Sequence, residues 1–479
     1  MARDPHSPPI EHLPTSDVRH AAKRMVSAWG FGAAFGNLSG GAIFASFARA
    51  LGANDFLFAV LASAVPLMSV FQVLATRLVE GVHRRKLQLV ISGIIGRALW
   101  IVIALLPFAH RISPGLISNE KVLFATVVCV LVSGAFQSFG NPAFFSWIND
   151  LFPKRAMPAF LAKRTQFGTY VSLFVAIVSG IIADAMPRLE VYSLLLAAGG
   201  IFGLMEIIAY LRVREPRWEF SAPLISIFSV KSLWEEIKAP LRDRTARRFL
   251  LFNAFFLAAA GIQGPILWLY FLEYLHLSKT LTGVLLIALP SMTVGLSVPF
   301  WGVTLRRFGS RPVIRICTFI LIFLPMAYVI ARPGAWDLVP FAVLISGICS
   351  GAISLSMQNV TTDVSPHIPR SAMAASFAIT GSLSTAAAAW IGGALAEGFL
   401  WMNQPTIHLF GLRIINYHIV FLVSVMIRII NWMWITPRLR EPSACSTLET
   451  MQTVMPEIAE VVATRLSRRL GKHHPPPPR

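Results

Sequence analysis

Apolar residues run through this chain in long unbroken stretches, and polar residues gather between them. Twelve stretches have the length of a membrane-crossing helix: 27–49, 56–79, 87–109, 121–145, 166–186, 191–212, 249–273, 281–301, 313–331, 338–360, 371–398 and 413–436. About 20 apolar residues, rising 1.5 Å each, cross a hydrocarbon core of ~30 Å. No polar insert between them is large enough for a soluble domain. The pattern predicts an all-α membrane protein with a tail (1–26), a six-helix half (27–212), a connection (213–248), a second six-helix half (249–436) and a tail (437–479). The first tail is polar, carries Pro5, Pro8, Pro9 and Pro14, and lacks a cleavable signal pattern. The connection mixes Trp218, Leu224, Ile225, Phe228, Leu233 and Trp234 with Lys and Arg, which predicts a helix lying on the membrane surface. In the last tail Leu448, Met451, Met455, Ile458, Val462, Leu466 and Leu470 recur at helical spacing before Arg465, Arg468, Arg469 and Lys472. That is an amphipathic helix suited to anionic lipid, followed by a disordered Pro-rich end.

Charge fixes the expected orientation. The chain holds 42 Lys+Arg against 23 Asp+Glu, a formal +19, yet only 14% of its residues are charged. A soluble domain averages about 25%. Such an excess of base would suggest nucleic acid if it covered one folded face. Here 33 of the 42 bases fall in the tails, in the connections that leave even-numbered spans, or at the span ends beside them. By the positive-inside rule both termini are cytoplasmic, in a multi-pass protein of the cell inner (plasma) membrane. Partners are then lipids and solutes, not nucleic acid. The four cysteines are scattered, and no phosphate-binding loop, zinc-helix motif or nucleophile elbow occurs. The sequence therefore predicts no metal, no cofactor and no enzyme.

The sequence also repeats itself. The stretch 76–86 after the second span recurs as 302–312 after the eighth, an offset of 226 residues. Arg212-Val213-Arg214-Glu215-Pro216 recurs at the same offset as Arg438-Leu439-Arg440-Glu441-Pro442. Asp150 and Pro153 after the fourth span are echoed by Asp363 and Pro366 after the tenth. Each half enters and leaves on one side, so the halves are parallel repeats about an axis along the membrane normal.

With these spans, repeats and loops, residues 20–442 resemble the major facilitator superfamily, and 141–153 is similar to a poorly characterised bacterial branch of it. The family's loop signature alternates glycines, an acid and bases. The second copy here keeps Gly302, Arg307, Gly309 and Arg311 but has Arg306 at the acidic place; the first keeps Glu80, Arg84 and Arg85 but has Thr76 and His83 where glycines are usual. The resemblance implies that Glu80 caps the helix starting near Ser371, that Arg84 or Arg85 meets Asp150, and that Arg311 with Asp363 is the counterpart. Otherwise these are solvated anchors, whose pairs contribute about 0–1 kcal/mol. It also implies a central cavity walled by helices 1, 4, 7 and 10, whose amides make Asn37, Gln137, Asn141, Gln263 and Gln358 candidate substrate-binding residues. Buried amides also simply bridge helices.

Three charges lie inside spans and each needs a partner or water: Arg97, Glu206 and Arg428. Arg97 and Glu206 lie at similar depth and are expected to pair, whereas a cavity-facing Arg97 would point to an anionic solute. Arg428 is expected to snorkel to the inner surface. Asp184 and Glu397 stand near outer ends of helices that do not wall the cavity. The stripe Gly32-x-x-x-Gly36-x-x-x-Gly40 predicts close helix packing. The function implied is a monomeric secondary active transporter, moving a small solute by alternating access with a coupling proton or cation. An uncoupled facilitator and a non-transporting sensor or assembly scaffold of the same fold are the alternatives. Scarce cavity charge favours a neutral or amphipathic solute.

Overall fold

The computed structural model describes residues 15–82, 85–112, 118–153, 156–216, 238–363, 368, 370–404, 408–409 and 412–439. Twelve helices are long and apolar enough to cross a membrane. In the first half they are α1 (Ser16–Ala50), α2 (Asp55–Val79), α3 (Arg85–Ala109), α4 (Asn119–Leu151), α5 (Ala159–Ala185) and α6 (Leu189–Leu211). In the second they are α7 (Arg244–Tyr274), α8 (Lys279–Phe308), α9 (Ser310–Ile330), α10 (Leu338–Val360), α11 (Ala372–Gly398) and α12 (Asn416–Arg438). A two-residue antiparallel pairing, His408–Leu409 with Leu412–Arg413, lies between α11 and α12.

Several helices outrun their apolar cores. α1 begins at Ser16, within the expected tail, because Ala21, Met25 and Ala28 recur on one face and are buried there among Trp147 and Tyr210. α8 likewise continues to Phe308 and stops at Gly309, whose φ of 84° turns the chain directly into α9. The surface helix expected near 224–234 and the amphipathic C-terminal helix lie outside the described residues.

The helix pairings of the first half recur six helices later. α3 packs on α4 and α6, α1 on α5 and α6, and α2 on α4; α9 packs on α10 and α12, α7 on α11 and α12, and α8 on α10. The fold is therefore two parallel six-helix repeats.

The apolar core is distributed unequally along the helices. Toward the face where α1 begins and α12 ends (the terminal face) each half has its own cluster. Met25, Phe144, Trp147 and Tyr210 lie in one, and Phe249, Phe252, Trp301 and Ile314 in the other. Toward the opposite face a single cluster runs through both halves, joining Phe44, Phe47 and Phe58 to Tyr270, Phe271 and Phe421. The halves are thus fused at the opposite face and separate toward the terminal face.

Candidate functional site

Between the halves lies a cavity of ≈ 310 Å³. Phe35, Gly36, Ser39, Leu61, Trp100 and Gln137 of the first half wall it, and Trp268 of α7 closes it from the second. α1 is broken here: its first segment ends at Leu38 and its second is Gly41–Ala50, with Gly41 at φ 60°. Helices interrupted at mid-depth leave main-chain groups available to a bound solute, as discontinuous helices do in transporters. The glycine stripe is accordingly not one packing seam. A Cβ on Gly32 would fall 2.5 Å from Glu206 Oε1, Gly36 has open space beside it, and Gly40 sits at the break.

Beside this cavity, inside the first half, is a polar pocket of ≈ 70 Å³. Arg97 Nη2 stands 3.1 Å from Glu206 Oε2, and the Tyr210 hydroxyl donates to Glu206 Oε1 at 3.2 Å. Arg164, from the first turns of α5, lies flat over Trp29, 3.7 Å from the ring centre. Gln137 belongs to both cavities; its Nε2 donates to Ser133 Oγ, which donates in turn to the Gly96 carbonyl.

The other candidate residues are dispersed. Asn141 is exposed at the pocket's edge. Asn37 is buried, donates to the Ala33 carbonyl, and leaves Oδ1 unpartnered in a small recess against Lys279 and Gly283. Gln263 on α7 also has a buried, unpartnered Oε1. Gln358 is exposed near the terminal-side end of α10. Arg428 reaches back one turn to Ser424 Oγ, 3.4 Å away, rather than forward to the terminal face, since that hydroxyl lies within the half's interior beside the Ala259 carbonyl.

Of the loop residues, Arg85 is buried and pairs with Asp150, while also donating to the Ser146 carbonyl at 3.0 Å. Arg84 and the side chains of Glu80 and Asp363 lie outside the described residues. Arg307 stacks on Phe308, Gly302 has open space at its Cβ, Gly309 makes the turn, and Arg311 is half-buried.

Sequence reasoning missed the opposite face, where the halves are tied together by ionic contacts. Asp184, at the end of α5, accepts the amide N–H groups of Lys279 (2.9 Å) and Thr280 (3.2 Å), the first residues of α8. Glu397, at the end of α11, accepts the amide N–H of Asp55, the first residue of α2, at 3.1 Å. Each carboxylate therefore caps a helix N-terminus of the other half. Four residues before each acid stands a glycine: a Cβ on Gly180 would fall 2.5 Å from Thr280 Cα, and one on Gly393 would fall 2.9 Å from Phe56 Cα. Glycine and acid share one helix face, so the first permits the approach that the second holds. Between the two caps, Arg49 pairs with Asp55 and grips Glu273 by two nitrogens (2.6 and 3.1 Å), while Tyr417 donates to Glu273 at 2.8 Å. The signal in the sequence was the shared spacing Gly180-x-x-x-Asp184 and Gly393-x-x-x-Glu397.

The family model described as Major Facilitator Superfamily matches residues 25–389 and, overlapping, 249–450. The chain belongs to that superfamily. Its fold is shared with solved transporters at low identity. The nucleoside transporter NupG aligns at TM-score 0.64 and 13% identity, over 88% of this chain and 99% of that one. The xylose transporter XylE from E. coli, partially occluded and inward open, aligns at 0.60 and 13%, over 90% and 100%. A POT family transporter in complex with 5-aminolevulinic acid aligns at 0.59 and 12%, over 88% and 97%. No curated protein matches the sequence. This superfamily member is a multi-pass membrane transporter rather than an enzyme.

Proposed function

We propose that this protein is a secondary active transporter that carries a small solute across the cytoplasmic (inner) membrane by alternating access. In this reading the structure is an inward-facing state, with the terminal face on the cytoplasmic side. The observation that carries it is the unequal joining of the halves. A shared apolar core and two reciprocal helix caps seal the opposite face, and α2 from Gln72 onward packs within its own half on α3 and α4. A cavity at the level of the break in α1 lies against that seal. Rocking of the halves would break the caps and open the same cavity to the other side. The bases concentrated in the tails and even-numbered connections support the orientation. Among the neighbours in fold, a D-xylose–proton symporter supports a small polar solute and a coupling proton as the first to try.

The test is a stabilisation screen of the purified protein against sugars, nucleosides, amino acids and organic acids, followed by uptake of each hit into liposomes. Binding to the native state raises the melting temperature by mass action. A chemically coherent set of hits that is also taken up supports the transporter. Folded, monodisperse protein that neither binds nor moves any of them moves the reading to a sensor or scaffold.

A further inference from the structure

The polar pocket inside the first half holds more donors than acceptors. Its walls carry two guanidinium groups, Arg97 and Arg164, and one carboxylate, Glu206. Both oxygens of Glu206 are engaged, one by Arg97 Nη2 and the other by the Tyr210 hydroxyl. The Nε atoms of Arg97 and Arg164 are buried and have no acceptor. A positive charge inside a membrane span requires a counter-charge or water, and here the walls alone leave one charge uncompensated. Arg164 lies only about 8 Å along α5 from its start, close enough to the terminal face for a guanidinium to snorkel out. It does not: the Trp29 ring holds it over the pocket at 3.7 Å, with Phe144 at 4.8 Å on another side. The cavity, ≈ 70 Å³, has room for ordered water or for one small anionic group.

We propose that this pocket binds a monovalent anionic group between Arg97 and Arg164, supplied either by the carboxylate of an organic solute or by a free inorganic anion such as chloride. The carboxylate arm rests on the transporter reading. Gln137 walls both this pocket and the central cavity, so a carboxylate seated here leaves the rest of its molecule in the ≈ 310 Å³ space next door. In that arm the charge of this pocket turns the expected solute from neutral to anionic. Glu206 limits the affinity, because it already neutralises one guanidinium.

The test uses the full chain in detergent and follows thermal stability. Chloride is titrated in one arm, and acetate, lactate and benzoate in chloride-free buffer in the other, with acetamide and lactamide as neutral controls. The proposal expects saturable stabilisation by anions but not by the amides, loss of the effect in R164Q, and binding about tenfold tighter in E206Q, where the pocket gains a unit of positive charge. E206Q keeps the pocket's volume but strips Arg97 of its partner, so its shift is read from its own anion-free baseline; the contrast of anions with amides in the wild-type protein keeps the test decisive if R164Q fails to fold. Stabilisation by carboxylates that compete with chloride assigns the site to a solute headgroup; stabilisation by chloride alone assigns it to an inorganic ion. Absence of stabilisation by either, or the same shift in wild type and E206Q, overturns the proposal. Uptake of a neutral solute without any anion effect would do so while leaving the transporter reading in place.

Discussion

Glu206 is 3% exposed, and a Cβ on Gly32 opposite it would lie 2.5 Å from its carboxylate. Its charge is tolerable only because Arg97 stands against it. Removing one member of a buried pair leaves the other uncompensated, at a cost of about 3–5 kcal/mol, whereas replacing both by apolar groups is often neutral. R97M should therefore lower the melting temperature markedly, and R97M/E206M should recover most of the loss. If the single and double variants melt alike, the two residues are not coupled. Gly32→Ala should act in the same direction but less strongly, since the carboxylate can shift by rotating. The pairing of Arg97 with Glu206 was legible in the sequence, because residue counts along two apolar spans give comparable depths. Arg164 was not. It falls in a stretch that hydropathy assigns to a loop, and only the continuation of α5 to Ala159 carries it into the bundle.

At the scale of elements, the apolar stretches gave all twelve helices and their repeat, because crossing hydrocarbon constrains length and composition strongly. They did not give the break in α1, since Ser39-Gly40-Gly41 lies within an apolar run and its effect depends on what stands opposite. Nor did they give the ties at the opposite face, which join residues more than 90 positions apart and become neighbours only when the halves dock. The glycines there make a sharp prediction. Gly180 meets the main chain at Thr280, and Gly393 meets the main chain at Phe56, so neither neighbour can yield by rotating a side chain. Gly180→Val or Gly393→Val should therefore disfavour the state closed at the opposite face without touching the interior of either half. With Ser39→Cys in the central cavity, in a background lacking the native cysteines, an impermeant maleimide should react from the terminal face in the parent. In the valine variants it should react from the opposite face as well. Unchanged sidedness would mean that the approach of α5 to α8 and of α11 to α2 does not control access.

At the scale of the molecule, the two caps are related by the repeat: Asp184 ties α5 to α8 and Glu397 ties α11 to α2, on either side of the Arg49 cluster. A carboxylate at a helix N-terminus contributes about 0.3–1 kcal/mol, and up to ~2 kcal/mol when partly buried. Neutralising one cap should thus change the ratio of closed to open molecules roughly 2- to 30-fold, at 1.4 kcal/mol per factor of ten. If the halves move as rigid bodies, both caps open in the same step and bias one equilibrium. The effects of D184N and E397Q must then multiply, and the double variant should show the product of the single shifts. If instead each helix pair opens by itself, the second substitution changes only its own pair, and a probe on the first pair does not respond to it. Spin labels on the opposite-face ends of α5 and α8 distinguish these cases. In the rigid-body case E397Q, whose carboxylate caps α2 rather than either labelled helix, lengthens their separation as D184N does. A distance that responds to D184N alone would show that the opposite face is closed by two independent hinges rather than by one rocking motion.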